Sequence, residues 1–312
     1  MTTAPAAIPG PVGRWVLGAR PRTLAAAAVP VVVGTAVGWW LRSGGEWGTR
    51  PVGSPGAVIW WRAACALVVA VALQVGTNYA NDYSDGVRGT DRGRVGPLRL
   101  VASGAARPSA VRMAAFVSFA LAGAAGLALA AATSWWLLPI GAACVAAGWL
   151  YTGGPRPYGY LGLGEVFVFI FFGVVATVGS AYVQVGHAGH LDLWWASVPV
   201  GLLATALLEA NNLRDVAGDT VAGKKTLAVR VGPLRARWLY VGVLVATGAG
   251  IAAVAAARPW ALIALVPLVV LGVGPARAVL DGAQGRGLLP VLGGTGRLQV
   301  AVGAMLALGI LL

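Results

Sequence analysis

The chain has 312 residues, of which 58% are hydrophobic and only 11% are charged, and its mean hydropathy is +0.78. Soluble domains carry about 25% charged residues, so this composition excludes a water-facing globular surface. The formal net charge of +13 would suit a nucleic-acid partner, but the basic residues lie in short connections between apolar stretches, which excludes nucleic acid. We expect one helical domain over residues 1–312, embedded in a lipid bilayer.

Apolar runs of membrane-spanning length recur along the chain, because about 20 helical residues cross a ~30 Å hydrocarbon core. We predict an all-α, polytopic membrane protein with nine transmembrane helices. They are expected at 23–41, 56–82, 109–131, 134–151, 163–186, 193–213, 237–256, 259–275 and 294–312.

The distribution of Lys and Arg predicts the orientation of these spans. Nineteen of the 23 basic residues fall in connections on the side of the N-terminus. The positive-inside rule then places the N-terminus in the cytoplasm and, with nine spans, the C-terminus outside, in a multi-pass protein of the plasma membrane. Paired tryptophans at span ends, such as Trp39 and Trp40, are expected to form interfacial belts.

Two other groups of side chains have simple explanations. Cys65 and Cys144 lie inside apolar runs and are expected to be buried thiols without a disulfide. His187, His190 and Asp192 share a short polar connection, which is either a metal site or, as we favour, a solvated loop.

The chain has only ten acidic residues, and five of them form two short clusters at the cytoplasmic ends of predicted spans. The first cluster follows the second span and contains Asp82, Asp85 and Asp91. The second follows the sixth span and contains Asp215 and Asp219. Because a carboxylate in a membrane is costly and marks function by default, we expect these clusters to form the active site.

Helical spacing predicts which of these side chains share a face. The residues at such spacing are Asn78, Asp82 and Asp85 in the first cluster, and Asn212, Asp215 and Asp219 in the second, with Glu209 one turn earlier. Gly86 and Gly89 are expected to end the first helix, so that Asp91 reaches the site from a loop. Neighbouring carboxylates repel, and a divalent cation removes that repulsion. All-oxygen ligation predicts Mg²⁺.

Basic residues flank both clusters, with Arg88 and Arg99 after the first and Lys224 and Lys225 after the second. Mg²⁺ combined with Lys and Arg is the arrangement that binds a diphosphate and stabilises it as a leaving group. No other lysine occurs in the chain. This bias favours a catalytic role for Lys224, with a cytoplasmic anchor as the alternative.

The two clusters resemble motifs of the UbiA superfamily of intramembrane prenyltransferases. These are an Asn-Asp-x-x-Asp-type motif after the second helix, here Asn81-Asp-Tyr-Ser-Asp85, and an Asp-x-x-x-Asp motif after the sixth, here Asp215 to Asp219. The resemblance covers nearly the whole chain. It implies nine helices around a central cavity with a cytoplasmic cap, and a polyprenyl diphosphate substrate. It also implies Mg²⁺ ions held by Asn78, Asp82, Asp85, Asp215 and Asp219.

Within the superfamily the chain is most similar to the branch that prenylates 1,4-dihydroxy-2-naphthoate. The stretches that carry this similarity are Arg20–Leu24, Asn81–Asp91, Tyr151–Glu165 and Asn211–Ala228. The similarity implies transfer of the polyprenyl group with loss of CO₂ and diphosphate, giving demethylmenaquinone. The six-residue step from Asp85 to Asp91 matches this branch and leaves open whether Asp91 binds metal or substrate.

Further residues are expected to contact the two substrates. They are Asn78, Asn81, Arg88, Asp91, Arg99, Tyr151, Arg156, Tyr160, Asn212 and Lys225. Arg156 is the candidate for the naphthoate carboxylate, and Tyr151, Tyr158 and Tyr160 for its hydroxyls, with ordinary loop chemistry as the alternative. Glu165 is either a base or a structural hydrogen-bond acceptor. Two other functions stay open: a UbiA-type enzyme with another aromatic acceptor, and a transporter with an acidic cation site.

Overall fold

The structure, a computed structural model, describes residues 10–44, 57–91 and 98–312, and within these residues it contains helices and no strands. Arg92 and Arg94, two basic residues after the first acidic cluster, lie outside the described residues. The α-helices are α1 (Pro11–Gly18), α2 (Ala25–Arg42), α3 (Trp60–Arg88), α4 (Pro108–Ala132), α5 (Leu137–Leu150), α6 (Gly164–Val168), α7 (Ala176–Val185), α8 (Leu191–Val221), α9 (Leu227–Val231), α10 (Pro233–Ala255), α11 (Leu265–Leu280) and α12 (Leu289–Leu311).

Eight helical stretches of the described residues are long and apolar enough to cross a membrane. The fifth predicted span is one of them: it runs over Gly164–Val185, where a π-helical segment, Phe169–Val175, joins α6 to α7. The fourth predicted span corresponds to α5, which is apolar but has only 14 residues. Each of the nine predicted spans therefore coincides with an apolar helix, and the all-helical, multi-pass architecture is confirmed.

The helices that carry the acidic clusters are longer than their apolar cores. Helix α3 continues to Arg88, and α8 continues to Val221, so that Asp85 and Asp219 are helical. Gly89 ends α3 in the left-handed conformation (φ 75°), but the prediction that Gly86 also breaks the helix is wrong. Gly86 stays helical because Val101 packs directly over it, where a Cβ would lie 2.5 Å from the valine side chain.

Helices α2 and α8 form the centre of the bundle. They are the most buried of the spanning helices, whereas the stretch Pro259–Leu280 is the least buried. Small residues permit close backbone approach: a Cβ on Gly34 of α2 would lie 2.2 Å from the carbonyl oxygen of Thr177 in α7. Such contacts are the usual basis of helix association in membranes, where burial of apolar surface supplies little driving force.

At the start of α8, far from its acidic end, a cavity of about 280 Å³ is lined by Trp40, Asp192, Trp195 and Arg258. Trp40 is buried there, and the Arg258 guanidinium lies 4.5 Å from the centre of its ring. The prediction that Trp40 belongs to an interfacial belt is therefore wrong. The exposed indoles of Trp60, Trp61, Trp135 and Trp136 do have belt-like exposure. Cys65 and Cys144 are free thiols, partly rather than fully buried.

Candidate active site

The last turns of α3 direct one face towards the turn that follows α5. Asn81 and Asp85 lie on this face, one helical turn apart. The hydroxyl of Thr152 donates to Asn81 Oδ1 at 2.9 Å, and the phenol of Tyr160 donates to Asp85 Oδ1 at 2.8 Å. Asp85 is almost completely buried. Its carboxylate is therefore held in one orientation by a neighbour from another segment of the chain.

The end of α8 meets the same point. The ammonium of Lys224 lies 3.6 Å from Asp85 Oδ2 and 3.7 Å from Asp219 Oδ1, so one cation joins carboxylates from α3 and α8. Lys224 is positioned by its own backbone N–H, which donates to the Asp219 carbonyl at 2.8 Å. The structure thus brings Asp85, Asp219 and Lys224 together, and this convergence is the centre of the candidate site.

Tyr160 covers this centre from the short helical turn Tyr158–Leu161. Lys224 Nζ lies 4.9 Å from the centre of its ring, which is a cation–π contact. The Lys225 backbone N–H donates to the Tyr160 carbonyl at 3.1 Å and fastens the two loops to each other. Burial, together with the charge of Asp85, raises the pKa of Tyr160 to about 12. The phenol is therefore protonated at neutral pH and remains a hydrogen-bond donor to Asp85.

Arg214 and Asp215 form a buried pair beside this centre. The guanidinium of Arg214 donates two hydrogen bonds of 2.7 Å to the two oxygens of Asp215. Both residues are at least nine-tenths buried. A bidentate pair of this kind fixes the carboxylate plane and offsets its charge. Asp215 consequently has a partner that Asp219 does not share.

Asn78 and Asp82, expected in the metal site with Asp85, make different contacts. The Asp82 oxygens accept hydrogen bonds from the backbone N–H groups of Leu100 and Val101, at 2.8 and 3.0 Å. The Asn78 amide donates to the Ala19 carbonyl at 2.9 Å. These two side chains thus link the loop at Leu100 and the segment at Ala19 to α3, and their expected role as metal ligands stays a prediction.

Asp91, just after the end of α3, forms an ion pair with Arg99. The Arg99 guanidinium is 3.2 Å from the Asp91 carboxylate, and both side chains are at least nine-tenths buried. The Nη1 group of Arg99 is buried without a hydrogen-bond acceptor. Because Leu100, the next residue, is held by Asp82, the anchor of the loop also fixes the position of Arg99.

The site has the donor chemistry for a hard cation. Among the described residues, no group of three or more His, Cys, Asp and Glu side chains is placed to hold a metal ion, and this includes His187, His190 and Asp192. Two carboxylates nevertheless face one positive charge at Lys224. Oxygen ligands in pairs, completed by water and phosphate oxygens, are what Mg²⁺ prefers. Asp85 and Asp219 therefore fit a Mg²⁺ ion that is bound mostly through its substrate.

The family model described as "UbiA prenyltransferase family" matches residues 31–288, which is most of the chain. The chain belongs to the UbiA prenyltransferase family. A relative named 1,4-dihydroxy-2-naphthoate octaprenyltransferase from Mycobacterium tuberculosis (strain ATCC 25618 / H37Rv) is 48% identical, over 96% of each chain. A relative of the same name from Escherichia coli (strain K12) is 38% identical, over 72% of this chain and 70% of its own.

Solved structures of UbiA homologues share the fold. The homologue from Aeropyrum pernix K1 superimposes with a TM-score of 0.64 at 15% identity, covering 91% of this chain and 97% of its own. The homologue from Archaeoglobus fulgidus bound to DMAPP and Mg²⁺ gives a TM-score of 0.60 at 18% identity, covering 94% and 98%. At such low identity the likeness establishes the UbiA fold alone.

The other residues expected in the site of this UbiA protein have various contacts around Asp85, Asp219 and Lys224. Arg88 donates to the carbonyls of Thr152 and Gly154, so it holds the turn after α5. Arg156 and Lys225 are exposed. Tyr151 packs on the backbone near Gly159, and Tyr158 is committed to the Ala147 carbonyl at 2.9 Å. Of these side chains, those of Arg156 and Lys225 stay accessible to a ligand.

Sequence reasoning missed several partners. Thr90 and Thr152 hydrogen bond to Tyr160 and Asn81, although nothing in their spacing marked them. Asn212, expected to contact substrate, donates to Glu165 Oε1 at 2.7 Å. The sequence carried one signal for this contact, because Glu165 and Glu209 are isolated acids within apolar stretches.

Proposed function

We propose that this protein transfers a polyprenyl group from polyprenyl diphosphate to 1,4-dihydroxy-2-naphthoate, with loss of CO₂ and diphosphate, giving demethylmenaquinol, the reduced form of demethylmenaquinone. The observation that carries the assignment is the match over 96% of the chain to a relative named for this reaction, at 48% identity. The convergence of acidic and basic groups from α3 and α8 supports the same chemistry.

The enzyme is proposed to depend on Mg²⁺. Asp85 and Asp219 would hold the ion, with Asn81 and Asp215 as further oxygen ligands on the same helices. Asn78 and Asp82, which the motif places in the same set, hydrogen bond to the Ala19 carbonyl and the Leu100 N–H, and we propose that they hold the scaffold instead. When bound, Mg²⁺ supplies positive charge that neutralises the diphosphate as it leaves.

The chain's own cations complete the diphosphate site. Lys224 is proposed to contact the diphosphate, since its ammonium already lies between the two carboxylates. Arg99 offers the buried Nη1 group as an additional donor. Preorganised donors aimed at a developing negative charge are usually the largest electrostatic contribution to catalysis. Asp91 is proposed to hold Arg99 in place and to act through it on the substrate.

Bond changes follow from this arrangement. The allylic C–O bond breaks and its electron pair leaves with the diphosphate. The ring carbon that bears the carboxylate forms the new C–C bond, and the bond to CO₂ then breaks and returns its electrons to the ring. Tyr160 and the stacked aromatic rings of Tyr158 and Phe167, whose centroids are 4.0 Å apart, would help to exclude water from the allylic cation.

Arg156 and Tyr151 are proposed for the acceptor. Arg156 lies in the turn between α5 and α6 and is exposed, so it can reach a carboxylate that arrives from the cytoplasm. Tyr151 presents its ring to the start of α6, where a Cβ on Gly164 would lie 3.3 Å from it. The same turn would therefore contact the naphthoate by charge and by ring stacking.

Orientation follows from the basic residues. We propose a multi-pass protein of the plasma membrane in which residues 1–312 form one domain, with the N-terminus and the acidic site on the cytoplasmic side and the C-terminus outside. Arg99, Arg214 and Lys224 then lie at the face where a soluble naphthoate is supplied.

The direct test uses purified protein in lipid vesicles with farnesyl diphosphate and 1,4-dihydroxy-2-naphthoate, with and without Mg²⁺. Asp85→Ala and Asp219→Ala should lower product formation by at least 10³-fold, while Asp281→Asn, an exposed aspartate after α11, should retain wild-type activity. A panel of other aromatic acceptors tests the related enzymes. Activity with none of them, together with cation flux across the vesicles, would instead identify a transporter.

A further inference from the structure

Two glutamates face each other inside the membrane domain. Glu165 begins α6 and Glu209 lies in the middle of α8, and they are 7% and 1% exposed. Glu209 lies one helical turn before Asn212 on α8, and Asn212 bonds to Glu165, so the two glutamates are neighbours. The Asn212 amide donates to Glu165 Oε1 at 2.7 Å. The other oxygen of Glu165 and both oxygens of Glu209 are buried without a donor.

This contact has a chemical requirement. An ionised carboxylate only accepts hydrogen bonds, so two carboxyl groups can bond to each other only when one of them carries a proton. Two neighbouring carboxylates away from water cannot both remain ionised at low cost, and sharing a proton removes the penalty. A neighbouring pair of this kind is suited to hold one exchangeable proton.

The pair lies below the diphosphate site, towards the middle of the membrane. Asn212 and Asp219 are seven residues apart on one face of α8, about 10 Å at ~1.5 Å per residue, and Glu209 is one turn deeper. Tyr151 packs beside the pair, since a Cβ on Gly164, the residue before Glu165, would lie 3.3 Å from its ring. This depth suits an acceptor ring that meets the first carbon of a prenyl chain whose diphosphate is held above.

We propose that Glu165 and Glu209 form the proton-transfer site of the reaction, an inference that rests on the proposed function. As the ring carbon bonds to the allylic carbon, the adjacent hydroxyl, on C1, gives its proton to the pair and becomes a ketone. As CO₂ leaves, the electrons of the broken C–C bond return to the ring and the ketone oxygen takes the proton back. No proton is gained or lost overall, so no further co-reactant is required.

A purely structural role explains the pair poorly. A glutamine in place of Glu209 has nearly the same volume, and its amide would donate directly to Glu165. An amide–carboxylate contact of that kind avoids the cost of two buried acids. Stability alone would therefore favour one acid and one amide at these positions. Two acids are useful where a proton has to be accepted and released.

Glu209→Gln separates the two roles. The proton-transfer role predicts that kcat falls by about 10²–10³-fold, the usual contribution of general acid–base catalysis, while KM for farnesyl diphosphate stays within about twofold and the thermal midpoint is equal or higher. Glu209→Asp keeps a carboxyl group and should recover part of kcat. Glu165→Gln gives a second variant with the same expected loss, and Asp281→Asn serves as the control.

Infrared spectroscopy adds a readout that does not depend on turnover. The wild-type protein should show the carbonyl band of a protonated carboxylic acid, and this band should be absent from Glu209→Gln. Wild-type kcat in both glutamine variants, or a band that persists in both, overturns the inference and leaves the proposed function intact. A wild-type protein that prenylates no naphthoate overturns the proposed function and the proton-transfer role with it, whatever the infrared result.

Discussion

Replacing Asp82 with Asn should damage the scaffold and spare the chemistry. Asp82 is completely buried, and its oxygens accept two backbone hydrogen bonds, from Leu100 at 2.8 Å and Val101 at 3.0 Å. A hydrogen bond to a charged group contributes about 1.5–3 kcal/mol. Asparagine keeps one acceptor oxygen but turns an NH₂ group towards the second donor. The free energy of unfolding should therefore fall by about 2–4 kcal/mol.

This loss is large enough to measure. At about 1.4 kcal/mol per factor of ten, it raises the unfolded fraction roughly 30- to 700-fold. By the scaling of folded domains it lowers the unfolding midpoint by on the order of 5–10 °C. Cys65 and Cys144 are partly buried, so a thiol-reactive fluorophore reports unfolding in detergent as temperature rises. At a temperature where the variant is folded, its kcat should stay within about threefold of wild type.

The matched control is Asp85→Asn, one turn later on the same helix. Asp85 contacts Lys224 and Tyr160, so this variant should lose transfer by at least 10³-fold and keep its unfolding midpoint within about 2 °C. The reasoning is refuted if Asp82→Asn unfolds at the wild-type temperature and is catalytically dead. Such a result would indicate that Asp82 is a metal ligand and that its hydrogen bonds to the loop contribute little to stability.

Three further outcomes follow from the structure. Gly34→Ala should destabilise the protein by about 1–3 kcal/mol, because its Cβ would lie 2.2 Å from the Thr177 carbonyl, whereas Gly179→Ala, which meets open space, should be neutral in the same unfolding assay. Tyr160→Phe removes the bond to Asp85 and should lower kcat/KM by about tenfold. The pKa of Tyr160 is raised from 10.0 to about 12, so the stability that its phenol contributes is complete below pH 10 and is lost as the pH rises through 12. Alkaline unfolding scans should show this loss in the wild-type protein and not in Tyr160→Phe. Chelation of Mg²⁺ should abolish product formation and leave the unfolding midpoint unchanged, since Lys224 already offsets the charge of Asp85; a midpoint that drops with chelator contradicts this.

Hydropathy predicted the membrane architecture well because it depends only on local composition. The nine apolar runs correspond to helices, and the spans that end in acidic clusters differ only in continuing further, to Arg88 and Val221. Polar residues at the ends of α3 and α8 remain helical because they pack on loops and on each other. Hydropathy does not include these packing contacts, so it cannot predict where α3 and α8 end.

The face of α3 that forms the site could not be read from spacing. Asn78 and Asp82 repeat at the same interval as Asn81 and Asp85, so helical periodicity permits either pair. Spacing does not encode the tertiary contacts that distinguish the two pairs: the Leu100 N–H donates to Asp82, whereas Lys224 lies beside Asp85. Composition predicted Lys224 as a site residue, which stays a prediction, and only the structure shows its position between the carboxylates of two helices.

The lysine that joins α3 to α8 has a consequence for assembly. When α3 and α8 insert into a bilayer, the carboxylates at their ends repel each other until a metal ion or substrate binds. Here the Lys224 ammonium lies between the two carboxylates, so the bundle can close around a partly neutralised centre as soon as it is inserted. Lys224 then supplies the positive charge that a metal ion and substrate would otherwise have to supply, so the newly made enzyme can fold before its first lipid substrate binds.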